Sequence, residues 1–337
     1  MRVTRYALFI IILALGLSAC QPEDCASSKV FCAGLVTDTL GLDDHGINRD
    51  VWAGLEAAKS NGDVDQASVI ESIDPRDYEK NIAYFAGQGY DVIITTGSGL
   101  GDETLRSSDL YPASIFIGIN QPQAESRGNL IPVTFAEDQM GFAAGMLAAR
   151  LSKTKVIGAV CETSGIDSMW RYCEGFRAGA KQTDETVKVE VVYREGGSSE
   201  SLFLDEAWGY ETGKILIRRG ADVIFAAGGL TGQGALRAAS EADAQVHAIG
   251  TERNQSAALG DAGSSVVTSF YGRASSEVQD MMRLLGSSIS SYEQGPSQVG
   301  YLPLNGNFPE SLSRDLDALI LKLWIGEIKT GVLPEKP

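Results

Sequence analysis

The stretch Gly220-Ala221-Asp222-Val223-Ile224-Phe225-Ala226-Ala227-Gly228-Gly229-Leu230-Thr231-Gly232-Gln233-Gly234 reads as an apolar strand running into a glycine-rich turn. An earlier stretch, Gly89-Tyr90-Asp91-Val92-Ile93-Ile94, has the same make-up and leads into Gly97-Ser98-Gly99-Leu100-Gly101. Short apolar runs bounded by glycine point to strands buried on both faces. Outward from the earlier stretch, strands over 30–37, 66–71, 90–95 and 113–119 alternate with helical segments over 48–60, 77–88 and 102–107. In the first of these helices apolar residues fall at 51, 52, 55 and 58, one helical face. Around the later stretch, strands over 156–160, 187–193, 221–227 and 246–250 alternate with helices over 170–182, 206–219 and 233–242. A helix over 136–151 joins the series, with Gly141, Ala144 and Gly145 suited to close packing. This alternation predicts an α/β protein of two doubly wound parallel-sheet lobes joined by a hinge. Ligands of such sheets bind beyond the carboxyl ends of the strands, here facing each other across a cleft.

The chain has 337 residues, enough for two domains of about 150 residues each. Its N-terminus places Arg2 and Arg5 before an apolar run, Tyr6 to Leu17, that ends in Leu17-Ser18-Ala19-Cys20. That order describes a secretory signal peptide over 1–19, too short to span a bilayer. Small residues before Cys20 resemble a bacterial lipobox, which makes Cys20 the acylated residue; a plain signal peptide with Cys20 incidental is the alternative. Several acyl chains on one Cys anchor a protein stably. Residues 20–29 then read as a lipidated tether. The first lobe is expected over 30–135 plus 254–290 and the second over 136–253 plus 291–337, with hinges near 120–136, 250–254 and 285–300. Export permits disulfides among Cys25, Cys32, Cys161 and Cys173; Cys161–Cys173 is one of three connectivities, free buried thiols the other reading.

Net charge excludes several classes. With 28 Lys+Arg against 44 Asp+Glu the formal charge is −16, and cleavage after residue 19 would make it −18. A nucleic-acid phosphate backbone is therefore not an expected partner. Two His, and no HExxH or CxxC, leave little for a metal site, and no cofactor is expected. There is no GxSxG elbow, and no Lys follows the glycine turns as a phosphate-binding P-loop requires. Asp43 and Asp44 make no acid/base pair by themselves. An enzyme is not expected.

The loop from Thr37 to Asn48 follows the first strand, where an α/β lobe presents ligand contacts. Asp38 and Asn48 are candidates for hydrogen bonds to ligand hydroxyls, and Asp44 for capping the helix; capping alone could also account for all three.

These motifs together, Val36 to Leu55, Gly175 to Lys181 and Gly220 to Gly234, resemble the basic membrane protein family over about residues 30 to 290. Its members are lipoprotein substrate-binding subunits of ABC transporters, similar to purine nucleoside receptor lipoproteins. The resemblance implies a periplasmic binding protein type I-like fold, a nucleoside ligand (purine favoured), an ABC permease partner and a lipid-anchored, monomeric protein at the cell envelope. By position, Asp38 and Asn48 match the family's polar contacts, Phe203 the aromatic that stacks on the base, and Gly228 and Gly229 its backbone contacts. Four positions depart from the pattern. Ile47 replaces an aromatic, Asn120 an Asp, and Glu252 the Asp of a GVDxDQ motif. Gly272 stands where a Lys is expected, with Arg273 beside it as a substitute. Trp170 is a candidate for the missing stacking face. The alternatives are a sensor of another metabolite on the same fold, a nucleoside hydrolase using Asp43, Asp44 or Glu252, and a ligand-free scaffold.

Overall fold

A computed structural model describes residues 25–27, 29–123, 125–197, 201–243, 245–287 and 298–337. The signal peptide, Cys20 and most of the tether lie outside the described residues, as does most of the 285–300 hinge.

The first sheet contains β1 (Cys32–Thr37), β2 (Gln66–Glu71), β3 (Val92–Thr96), β4 (Ile115–Ile119) and β5 (Leu130–Val133) in the order β2-β1-β3-β4-β5. Every pairing is parallel. Its helices are α1 (Ile47–Asn61), α2 (Tyr78–Gly87) and α3 (Gly101–Leu110). The second sheet contains β6 (Val156–Cys161), β7 (Lys188–Tyr193), β8 (Val223–Ala227), β9 (His247–Thr251), β10 (Val266–Gly272) and β11 (Val299–Tyr301), ordered β11-β10-β9-β8-β6-β7. Only β11 runs antiparallel to its neighbour. The remaining helices are α4 (Glu137–Leu151), α5 (Asp167–Thr183), α6 (Glu206–Arg218), α7 (Gly229–Ser240), the short α8 (Gln255–Ala258), α9 (Ala274–Gly286) and α10 (Glu310–Trp324). The expected two-lobed α/β architecture is therefore the observed one. Strands β1, β3 and β8 are buried along their whole length, as their unbroken apolar runs require.

Helix α4 is buried nearly all round, because it lies inside the second lobe rather than on its surface. Gly141 and Gly145 meet the backbones of Tyr172 and Phe176 on α5, while Gly175 and Gly179 of α5 meet Asp138 and Phe142 in return. A side chain at any of the four would strike backbone, so the small residues there set the interhelical distance. The same holds for Gly209 and Gly234 between α6 and α7. This explains why α7 begins at Gly229 rather than at Gln233: the glycines serve close helix packing as well as a turn.

The lobe boundaries need two corrections. Residues 254–290 were expected in the first lobe, but β10 pairs in parallel with β9 and extends the second sheet. Its apolar residues Val266 to Phe270 are buried there. Only α9 belongs to the first lobe, where Gly54 of α1 lies against the backbone of Ser275. The chain thus crosses between lobes at 134–136, at 272–274 and between α9 and β11. Residues 250–254 are not a crossing. The tether is also shorter than expected: Cys25 is bonded to Cys32, and Ala26 lies against Gly89. The second pairing, Cys161–Cys173, ties the end of β6 to α5. All four cysteines of the described chain are in bridges, and the free-thiol reading falls.

Candidate functional site

The carboxyl ends of the parallel strands bring most of the candidate residues to one side of each sheet. On the first lobe, Asp38 follows β1 and Asn48 lies in the first turn of α1. Asn48 Nδ2 donates to Asp38 Oδ1 and to the Gly41 carbonyl, both at 2.8 Å. Asp44 caps the helix: its carboxylate accepts from the backbone N–H of Gly46 and Asn48, each at 2.9 Å. Asn48 has no exposed surface, and its Oδ1 has no hydrogen-bond partner. A buried amide oxygen left without a donor is costly in an empty protein. Burial raises the Asp38 carboxyl above its ordinary value, against the Asn48 hydrogen bond that lowers it.

Asn120 follows β4 with a left-handed backbone, φ 59°, held by its N–H to the Val133 carbonyl at 2.9 Å. The next residue, Gln121, is buried and donates from Nε2 to the Gly97 carbonyl at 3.0 Å. Gly97 in turn abuts Asp38; a Cβ there would lie 2.7 Å from Asp38 Oδ2. Asp38, Asn48 and the Asn120 turn therefore form one connected rim.

On the second lobe a buried network supports Phe203. Glu162, at the end of β6, has no exposed surface. Its Oε2 accepts the Phe203 N–H at 2.9 Å and the Thr231 hydroxyl at 2.7 Å; its Oε1 accepts from Arg194 Nη1 at 3.1 Å. Arg194 also donates to Asp205 at 3.1 Å and to Ser201 at 2.6 Å. Phe203 itself has φ 64°, and its carbonyl accepts the Leu230 N–H at 2.7 Å. Gly228 and Gly229 both have positive φ, at 112° and 58°. Gly228 sits against Glu162 and Gly229 against the Phe203 backbone. Sequence reasoning named Phe203 and the glycines but missed Glu162 and Arg194. A carboxylate directly after an apolar strand, 32 residues from an Arg after the next strand, was the available signal.

Glu252 follows β9 with φ 68°, its N–H donating to the Phe270 carbonyl at 2.8 Å. Burial raises its carboxyl, with Arg253 opposing. The following turn meets the first lobe, where the Asn254 N–H donates to the His45 carbonyl at 2.7 Å.

Residues 32–292 match the family described as ABC transporter substrate-binding protein PnrA-like. The chain belongs to this family. A curated relative, the ABC transporter nucleoside-binding protein BmpA of Lactococcus lactis subsp. cremoris, is 28% identical over 254 residues, 71% of this chain and 70% of its own. The CD4+ T-cell-stimulating antigen of Listeria monocytogenes is 26% identical over 334 residues, 92% of this chain and 90% of its own. Among solved structures, an ABC transporter solute-binding protein from Conexibacter woesei superposes with a TM-score of 0.72 at 21% identity, covering 88% of this chain and 98% of that one; at that identity the likeness is one of fold. As the substrate-binding component of an ABC transporter, the protein takes a small-molecule ligand, has a membrane permease as partner and works on the extracytoplasmic side. Among the described residues no helix is long and apolar enough to cross a membrane.

Two further residues named from the resemblance, Arg273 and Trp170, have the following surroundings in this Bmp-family protein. Arg273 is exposed and lines an outer groove of about 700 Å³ with Gln298, Tyr301 and Trp324, on the flank formed by β11 and α10. Trp170 is stacked on Tyr193 within the second lobe, ring centroids 6.2 Å apart. Gly272 has a structural explanation. Phe135, on the first crossing, lies over its Cα, and any Cβ at 272 would overlap the ring. The space a side chain would need is filled by Phe135. A second cavity of about 780 Å³, lined by Arg150, His247 and Asn305, lies at the opposite, amino-terminal end of the second sheet. No group of three or more metal-ligating side chains occurs among the described residues.

Proposed function

We propose that the protein captures a nucleoside, with purines favoured, between its two lobes and passes it to an ABC permease. The observation that carries this reading is the pairing of an aromatic platform with an acceptor rim. Phe203 is pinned by a buried carboxylate, and Asp38 and Asn48 offer acceptors, one of them the unpartnered Asn48 Oδ1. A planar base needs a stacking face, and a ribose needs acceptors for its hydroxyls. Glu252 and the Asn120 turn supply further polar groups at the strand ends. The relative from Lactococcus lactis, whose name describes it as nucleoside-binding, supports the same class. We further propose that Cys20 carries the lipid that holds the protein at the membrane, since small residues precede it after a short apolar run.

The test is a thermal-shift and calorimetric panel of nucleosides, free bases, sugars and amino acids. A compound present at 100 times its dissociation constant adds about 2.7 kcal/mol of stability, a shift of several degrees. Nucleosides alone should produce it, and Phe203→Ala should abolish most of it. A response confined to sugars or amino acids would leave a binding protein of different cargo, as the departures at Ile47, Asn120 and Gly272 would then explain. Product formation would instead favour the hydrolase.

A further inference from the structure

Arg253 carries a charge that acts on its neighbours only through space. It is the second residue after β9, and among the described residues its guanidinium makes no hydrogen bond and no ion pair. Its backbone is nevertheless held in place. Its N–H donates to the Thr251 carbonyl at 2.8 Å, and the next residue, Asn254, donates to His45 of the first lobe at 2.7 Å. Gly46 comes so close that a Cβ there would lie 2.7 Å from the Cβ of Arg253. The residue thus springs from the point where the second lobe touches the loop that bears Asp38 and Asn48. Its charge is felt at Asp38 on one side and at Glu252 on the other.

The groups facing it are acceptors. Asn48 Oδ1 is fully buried without a donor, while Asn48 Nδ2 is committed to Asp38 and Gly41. Asp38 Oδ1 is committed to Asn48 and to the Leu40 N–H at 3.0 Å, leaving Oδ2 without a donor among the described residues. No side chain enters from position 272, because Phe135 occupies the space beside that glycine.

We propose that Arg253 contacts the ligand directly, donating to an acceptor on it while the ligand donates to Asp38 and Asn48, and that this contact sets which ligands the cleft accepts. The inference rests on the cleft being the ligand site; it does not require the ligand to be a nucleoside. Arginine presents a rigid fork of donors, so the contact favours ligands with a carbonyl, ring nitrogen or hydroxyl acceptor in that position.

The test is calorimetric titration of wild type, Arg253→Met and Arg253→Lys with adenosine, guanosine, inosine, ribose and the free bases, beside melting of each unliganded protein. Loss of a charged hydrogen bond predicts binding about 30-fold weaker for Arg253→Met and a smaller loss for Arg253→Lys. Unliganded melting temperatures should differ little, because the side chain makes no hydrogen bond or ion pair among the described residues and acts on Asp38 and Glu252 only through space. If wild type binds ribose or a free base but no nucleoside, and Arg253→Met still loses that binding, the nucleoside reading fails and the role of Arg253 stands. If Arg253→Met binds whatever wild type binds within about twofold, the proposal is overturned; so is it if the variant loses binding only in step with its own melting temperature.

Discussion

The Glu162 carboxylate accepts the backbone N–H of Phe203 at 2.9 Å across 41 residues of sequence. The same oxygen accepts the Thr231 hydroxyl, and the other oxygen is paired with Arg194, itself 4% exposed. Phe203, the proposed aromatic platform, is therefore fixed from beneath by a desolvated ion pair, not by its own packing alone.

Removing one partner of a buried pair leaves the other charged and unpaired, a cost of about 3–5 kcal/mol. Glu162→Ala should lose stability of that order in urea unfolding. Ligand affinity should fall as well, because Phe203 loses the acceptor that holds its left-handed backbone. A loss below about 1 kcal/mol would mean that Arg194 finds another partner and that the network does not hold the platform.

Gly272 and Phe135 yield a second expectation. They stand on two different crossings between the lobes, and the ring covers the glycine. Gly272→Lys, which installs the residue the resemblance leads one to expect, should cost about 1–3 kcal/mol through overpacking. Phe135→Ala empties the space, so the double variant should be less destabilised than the sum of the two singles. A double-mutant cycle in urea measures the coupling; additive behaviour would show that the ring moves aside freely.

Much of this was legible in the sequence. Strands such as Val92–Thr96 and Val223–Ala227 announce themselves, because burial on both faces demands unbroken apolar runs and glycine ends them sharply. Asp38 and Asn48 were legible from their place after the first strand. The course of the chain after Thr251 was not. Whether Val266–Gly272 joins one sheet or the other depends on which edge is open, a tertiary fact with no local signature. Glu162 and Arg194 were hidden for a related reason: each reads as an ordinary loop charge, and only their meeting beneath Phe203 gives them a role. The exchange of a family Lys for Gly272 looked like a loss until Phe135, 137 positions away, was seen to fill its space.

The Cys161–Cys173 bridge ties the strand that carries Glu162 to α5. It closes a short loop of sequence separation 12. Replacing both cysteines by Ala should cost about 3 kcal/mol. The change should also weaken ligand binding, since the end of β6 positions Glu162. In urea titrations with reductant, which opens the Cys25–Cys32 bridge in both proteins, wild type and variant should come to the same level, whereas without it the wild type should be the more stable. No response to reductant in the wild type would contradict the pairing.

Two desolvated carboxylates, Glu252 and Glu137, set a pH dependence of known sign. Burial raises Glu252 above its ordinary 4.5, with Arg253 opposing. Burial also raises Glu137, where Arg171 opposes and Glu252 adds to the rise. A carboxyl whose folded value exceeds its unfolded one stabilises fully below the unfolded value, and that contribution is lost as pH rises through the folded value. Both groups therefore cost stability at neutral pH, where each must ionise in a desolvated place. Glu252→Gln removes one of these costs and relieves the repulsion on Glu137. The variant should be more stable than wild type at pH 7–8, with the difference shrinking toward zero below pH ~4, as Glu252 becomes protonated in both states. Urea unfolding of the two proteins across that range measures the difference directly, so that the many surface carboxylates cancel. A gain independent of pH would assign the effect to packing, and a loss at pH 7 would mean that ionised Glu252 is held by Arg253 more strongly than burial opposes it.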